Sequence, residues 1–187
     1  MQTTDNQNIP DTDLIRGSLA GDARMQESLY RKFAPKMYAV CLRYAGNSDD
    51  AQDLLQEGFI KVFRNLDKFR HEGSFEGWMR RVFVNTSIEH YRRKIHLNPI
   101  GESEENRLED ASVSALDQLA EKDIVQLVQE LSPGYRTVFN LYVIEGYSHK
   151  EIGDMLRISE GTSKSQLARA KSILQKKVAE FLGEKRK

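Results

Sequence analysis

The chain has 187 residues, with 28 Lys plus Arg balanced by 28 Asp plus Glu. That length suits one ordinary domain or two small ones, and the zero net charge excludes any argument for nucleic acid from bulk charge alone. No apolar run approaches the roughly 18 residues of a membrane span, and Met1–Thr12 lacks the apolar core of a signal peptide. The expectation is a cytoplasmic chain without membrane insertion.

Apolar residues recur at helical spacing almost throughout, and no run alternates with period two. The expected fold class is all-α: two small helical domains joined by a flexible acidic linker. Residues 1–12 are expected as a disordered N-terminus and 13–95 as the first domain. Within it, Asp22–Ala45 carries Met25, Leu29, Phe33, Tyr38 and Leu42, and Pro35 is expected to kink or divide the helix. The single cysteine, Cys41, has no partner for an internal disulfide and reads as a core residue. A second helix begins at Ser48 or Asp49 after Gly46-Asn47, with Leu54, Leu55, Phe59, Val62, Phe63 and Leu66 on its apolar face. After Gly73, Ser74 is positioned to cap a third helix running from Phe75 to about Lys94.

From His96 to Ser114 the periodicity fails around Pro99 and Gly101, so 96–114 is the expected linker and 115–183 the second domain. Its first helix carries Leu116, Leu119, Ile124, Leu127, Val128 and Leu131. Ser132-Pro133 then opens a helix with Val138, Leu141 and Tyr142 that stops at Gly146. Ser148-His149-Lys150-Glu151 fits a capping box for a short helix with Ile152 and Leu156. A turn from Arg157 to Gly161 and a last long helix complete a helix-turn-helix pattern.

The neutral total hides an asymmetry. Gly101–Glu130 holds nine acids and two bases, whereas Thr162–Lys187 holds eight bases and two acids. On the last helix, Ser163, Leu167, Ala170, Leu174, Val178 and Phe181 form an apolar stripe. Thr162, Ser165, Arg169, Ser172 and Lys176 fall opposite, flanked by Lys164 and Gln166. That outward face suits either the major groove of DNA or plain solvation. In the Phe75–Lys94 helix, Phe83 and Tyr91 share a side with Val84 and read as core, while Arg81, Asn85 and Arg92 share another side with Trp78 and read as exposed. Cations there can hold phosphate, and aromatics can stack on unpaired bases. Upstream, Asp49, Asp50, Asp53 and Glu57 suit the helix dipole, or else a basic protein partner. His71, His90, His96 and Cys41 lack metal-ligand spacing and no phosphate-binding glycine loop occurs, so neither a catalytic set, nor a metal, nor a cofactor is expected.

Three segments carry a family resemblance: DLLQEGFIKVFRNLDKF (Asp53–Phe69), GSFEGWMRRVFVNTSIEHYRRK (Gly73–Lys94) and YSHKEIGDMLRISEGTSKSQLARAK (Tyr147–Lys171), with LSPGYRTVFNLYVIEG just upstream of the third. In order and spacing they resemble the second and fourth domains of the extracytoplasmic-function (ECF) class of sigma factors, in the sigma-70 family of bacterial RNA polymerase. The resemblance implies a non-enzymatic initiation factor whose partners are core polymerase, through the beta-prime clamp helices and beta flap, promoter DNA, and in many relatives an anti-sigma factor. It assigns Asp53, Gln56 and Glu57 to core binding. Lys68, Arg70, His71 and Ser74 fall in the loop that would receive a flipped minus-10 base, with Arg81, Asn85 and Arg92 holding strand and phosphates. Thr162, Lys164, Ser165, Gln166 and Arg169 would serve the minus-35 element. The tryptophan pair that wedges DNA open in primary sigma factors falls on Arg81 and Val82, which implies opening by base capture and a narrow promoter repertoire. Gln166 and Ala168 also stand where relatives often carry an arginine and a bulky residue. A stand-alone helix-turn-helix regulator is the alternative reading.

Overall fold

The computed structural model describes residues 9–97 and 121–184, so the expected linker and the helical positions Leu116 and Leu119 lie outside the described residues. The described chain is helical: α1 (Asp11–Leu19), α2 (Ala23–Tyr44), α3 (Ser48–Arg64), a 3-10 turn (Leu66–Lys68), α4 (Phe75–Leu97), α5 (Glu121–Gln129), α6 (Pro133–Phe139), a π turn (Asn140–Ile144), α7 (His149–Leu156) and α8 (Glu160–Glu184). No strand occurs among the described residues. It divides into two compact units. One comprises Ile9–Cys41 and Ser48–Ser87, the other Leu42–Asn47 with Ile88–Leu97 and Glu121–Glu184. The division therefore falls within α2, at the start of α3 and within α4.

In the first unit, α1 starts at Asp11, inside the stretch expected as disordered, because Leu14 and Ile15 find a core to enter. Asp11 pairs with Lys32 of α2 at 2.8 Å, and Lys32 also donates to the carbonyl of Ile9. α2 neither breaks nor divides at Pro35. Pro35 lies on the exposed side, where water can take the carbonyl its missing N–H leaves unbonded. The buried stripe of α2 is Leu29, Phe33, Met37, Val40, Cys41 and Tyr44, whereas Met25, Tyr38 and Leu42, expected on that face, are only half-buried.

α3 buries Ala51, Leu54, Leu55, Gly58, Phe59 and Val62. Gly58 is where α3 meets α4: a Cβ placed there would lie 2.2 Å from Cε1 of Phe83. Phe83 is 1% exposed and meets Phe59 edge-on, with ring centroids 5.3 Å apart, so it has no room to withdraw. In α4 Phe83 and Tyr91 are buried, as their spacing predicts, and so is Phe75.

The second unit has its own apolar centre in Leu127, Val128, Leu131, Val138, Leu141, Ile152, Leu156, Leu167, Ala170, Leu174 and Val178. Buried Arg136 holds the α5–α6 junction, its guanidinium donating to the carbonyl of Gln129 at 2.7 Å and, from Nε, to that of Tyr44 at 3.0 Å. Asn140, fully buried, donates to the carbonyls of Arg43 and Arg136. Guanidinium and amide groups so placed satisfy carbonyls at helix ends that would otherwise be buried without partners.

Gly58→Ala should destabilise the first unit by about 1–3 kcal/mol, because overpacking against a trapped ring outweighs the gain of about 1 kcal/mol in helix propensity. Urea unfolding followed by circular dichroism measures it.

Candidate nucleic-acid interface

The clearest local geometry is at α7 and α8. Ser148 caps α7 in a complete capping box: the Glu151 N–H donates to Ser148 Oγ, while the Ser148 N–H donates to Glu151 Oε2 at 2.8 Å. Hydrogen bonds from Ser148 hold the Glu151 carboxyl below its ordinary pKa. α7 ends at Arg157, which adopts the left-handed conformation at φ 59°. A Cβ at Gly153 would lie 2.9 Å from the carbonyl oxygen of Ile158, so the chain can reverse this tightly only where residue 153 has no side chain. The expected turn through Gly161 is shorter than predicted. Ser159 caps α8, its Oγ accepting from the Thr162 N–H at 2.9 Å, and α8 starts at Glu160.

α8 buries Ser163, Leu167, Ala170, Leu174 and Val178, the stripe its spacing predicts, while Phe181 is half-buried. The exposed stripe at its N-terminal end is Glu160, Gly161, Lys164, Ser165 and Ala168. Of the five residues expected at the minus-35 element, Lys164 and Ser165 are therefore fully presented. Thr162 is half-buried and its hydroxyl is shared with Ser159 at 2.8 Å. Gln166 and Arg169 are also half-buried and turn toward the start of α6. A Cβ at Gly134 would lie 3.5 Å from the Gln166 amide, and Arg169 donates to the Tyr135 hydroxyl at 3.3 Å.

His149, the first residue of α7, lies flat on Tyr142 with centroids 4.4 Å apart, and its Nδ1 is 2.9 Å from the buried Ser163 hydroxyl. Desolvation, then the charge of Lys164, lowers its pKa below the ordinary histidine value.

A second cluster occupies the 3-10 turn and the loop to α4. Lys68, Arg70, His71 and Ser74 are exposed there, above an aromatic group in which Phe69 contacts Phe75 at 5.1 Å and Trp78 at 5.7 Å. His71 has a positive φ of 58° and sits 4.8 Å from Phe69, centroid to centroid. A left-handed histidine is uncommon and costs conformational energy that the surrounding loop must offset. Ser74 spends its hydroxyl as a cap, accepting from the Gly77 N–H at 3.1 Å. Lys68 Nζ donates to Asn65. Arg81 and Asn85 are exposed and one turn apart on α4. Arg92 is half-buried instead, its guanidinium donating to the carbonyl of Met155 within the second unit.

On α3, Asp53 and Gln56 are exposed, and half-buried Glu57 pairs with Lys61 at 3.1 Å. Ile60, 57% exposed, continues the Asp53–Gln56 face one turn on. Its apolar character off the buried stripe was the signal that could have singled it out. Glu160 falls within the turn that the sequence pattern predicts through Gly161, so spacing alone does not place it on α8. Among the described residues there is no cluster of His, Cys, Asp or Glu able to hold a metal ion, and no helix long and apolar enough to cross a membrane.

Residues 29–95 match the sigma-70 region 2 family and residues 121–174 match sigma-70 region 4. The ECF RNA polymerase sigma factor SigE of Mycolicibacterium smegmatis is 30% identical over 98% of this chain and 76% of its own length. The chain belongs to the ECF sigma factors of the sigma-70 family. SigW of Bacillus subtilis is 30% identical over 80% of this chain and 86% of its own, and the sigma-H factor of Pseudomonas aeruginosa is 28% identical over 93% and 96%. A solved structure of the sigma factor RpoE with the anti-sigma factor NepR, from Bartonella quintana, is 20% identical with a TM-score of 0.46, covering 80% of this chain and 94% of that one.

The lowered pKa of His149 has a consequence for stability. The unfolded chain binds the imidazole proton more readily than the fold does, so stability is complete above the ordinary histidine pKa and declines as pH falls through it. Unfolding midpoints of the chain between pH 7.5 and 5.5 should therefore fall with pH, and His149→Gln should flatten that dependence. The exposed Glu151 and Glu160, with lowered pKa values, act below this window.

Proposed function

We propose that this ECF sigma factor binds core RNA polymerase through the outward face of α3, captures an unpaired minus-10 base at the loop between the 3-10 turn and α4, and reads minus-35 duplex DNA with α8. The observation that carries the reading is the start of α8: a capped helix after a tight left-handed turn, presenting Lys164 and Ser165 outward. The first residues of the second helix in a helix-turn-helix are those that reach base edges in the major groove.

The parts divide the work by their chemistry. Asp53 and Gln56, with Glu57 beside them, offer a polar acidic surface to a basic partner such as the beta-prime clamp helices, and Ile60 adds an apolar contact at its edge. The loop's cations, Lys68 and Arg70, can hold phosphates on either side of an extracted base, while His71 and half-exposed Trp78 supply π-faces for stacking. Arg81 and Asn85 extend the strand's path along α4, and Arg92 joins them once its guanidinium leaves the Met155 carbonyl. With Arg81 and Val82 in place of a tryptophan wedge, strand opening rests on base capture. In the duplex site, Lys164 and Ser165 meet base edges, Thr162 a phosphate, and Gln166 and Arg169 reach DNA by swinging away from α6. The role is non-catalytic and cytoplasmic, and an anti-sigma factor is the remaining partner class.

Run-off transcription with purified core polymerase tests the whole reading. Adding the chain should direct initiation from a promoter of its own genome, and failure at every promoter would sink it. Two variants test the parts. Asp53→Arg should weaken capture of core polymerase without changing the unfolding midpoint; an unaltered pull-down removes this face from the interface. Arg169→Ala should cost about 1–3 kcal/mol of holoenzyme binding to minus-35 duplex if the contact is to a base. Unchanged affinity assigns Arg169 to Tyr135 and to the fold instead.

A further inference from the structure

Among the residues exposed on the first turns of α8, one is of opposite charge to a phosphate-binding surface. Glu160 is the first residue of the helix and is fully presented to solvent. Its Oε1 lies 2.6 Å from Nζ of Lys164, one turn further on, and this hydrogen bond together with the lysine's charge lowers the Glu160 pKa. Against a backbone of phosphates an exposed carboxylate opposes binding. A carboxylate at the entering end of a reading helix therefore lowers affinity for every sequence unless some sequence offers it a donor.

The major groove offers carboxylates one standard donor, the N4 amino group of cytosine, while lysine finds its acceptors at O6 and N7 of guanine. Glu160 and Lys164 carry that acceptor and that donor side by side, held one turn apart on the same exposed stripe. We infer that Glu160 is a specificity-determining residue of the minus-35 site, accepting from the cytosine amino group of a G·C pair whose guanine takes Lys164. At an A·T pair the adenine amino group stands between the N7 and O4 acceptors, which repel a carboxylate, so its contribution is discrimination rather than affinity. This rests on the reading of α8 as the minus-35 helix and goes beyond it by naming the base pair.

The geometry supports the assignment in two further ways. Neighbouring Thr162 and Ser165 have their hydroxyls committed within the helix end, Thr162 to Ser159 and Ser165 to the carbonyl of Thr162 at 3.0 Å. Glu160 and Lys164 are thus the charged pair presented on this turn, and Ala168, a turn beyond Lys164 on the same stripe, offers only a methyl group.

The test uses holoenzyme reconstituted from core polymerase and the full chain. Its binding is measured to promoter duplexes carrying each of the four base pairs, in turn, at every position of the upstream element. The native chain should prefer G·C at one position by roughly tenfold. Glu160→Ala should abolish that preference while binding to the other duplexes holds or rises. Glu160→Gln, of the same shape, should move the preference toward A·T, since an amide pairs with adenine. If both variants keep the native preference at every position, Glu160 is not a reader, and the inference falls while the minus-35 reading stands. If the native holoenzyme shows no base preference anywhere in the element, the minus-35 reading falls and takes the inference with it.

Discussion

The close approach of residue 153 to the carbonyl of Ile158 governs how α8 is presented. Because no Cβ intervenes, α7 can end in a left-handed Arg157 and release the chain directly into the Ser159 cap. One added residue in this turn would rotate α8 by 100 degrees and carry its buried stripe off the core. Ser163 and Leu167 would leave their buried positions, and Thr162 and Gln166 would take them. Capping and packing therefore specify the same register, the agreement between local and global preference that marks a well-defined fold.

In the first unit the same logic operates at Gly58. The α3–α4 contact is closed by the Phe83 ring, so the two helices approach closely there and their remaining faces point away from it. Asp53 and Gln56 on α3 and Arg81 and Asn85 on α4 are exposed because the glycine contact uses up the opposite sides. The aromatic group of Phe69, Phe75 and Trp78 continues that core to the edge of the unit, where it ends in an exposed loop with a left-handed histidine. The strained histidine lies over this aromatic floor, and packing beneath it acts together with the Lys68 and Ser74 hydrogen bonds to hold the loop.

How much of this is legible in the sequence depends on whether the controlling physics is local. The capping box at Ser148–Glu151 and the stripe of α8 are local, and both are where the spacing predicts them. Pro35 predicts a kink or a division of α2, yet α2 continues through it with the residue on the solvent side, a placement set by packing against elements far along the chain. The same distant packing selects Met37 and Val40 over Tyr38 and Leu42 as the buried positions of α2. At the site, a helical wheel separates Lys164 and Ser165 from the core but cannot show that Gln166 and Arg169 are drawn toward Gly134 and Tyr135. Those contacts join residues more than thirty positions apart. Arg92 is similar: its periodicity reads as exposed, and its guanidinium finds a carbonyl 63 residues on.

The two kinds of candidate contact on α8 therefore differ in what they require of DNA. Lys164 and Ser165 already point outward, and their present partners, Glu160 and the Thr162 carbonyl, lie on α8 itself, so neither has to leave another helix. Gln166 and Arg169 must exchange existing partners for new ones, and such an exchange contributes only the difference between the two sets of hydrogen bonds. A residue that gives up a neutral tyrosine hydroxyl for a charged phosphate or a guanine edge gains from that difference, because bonds between charged groups are the stronger ones. Arg169, itself charged, fits this case at a phosphate and at a base edge alike, whereas the neutral amide of Gln166 gains only at a phosphate. Affinity should then come chiefly from Lys164 and Arg169, and the choice of sequence from groups, such as Glu160, that are penalised wherever their partner is missing.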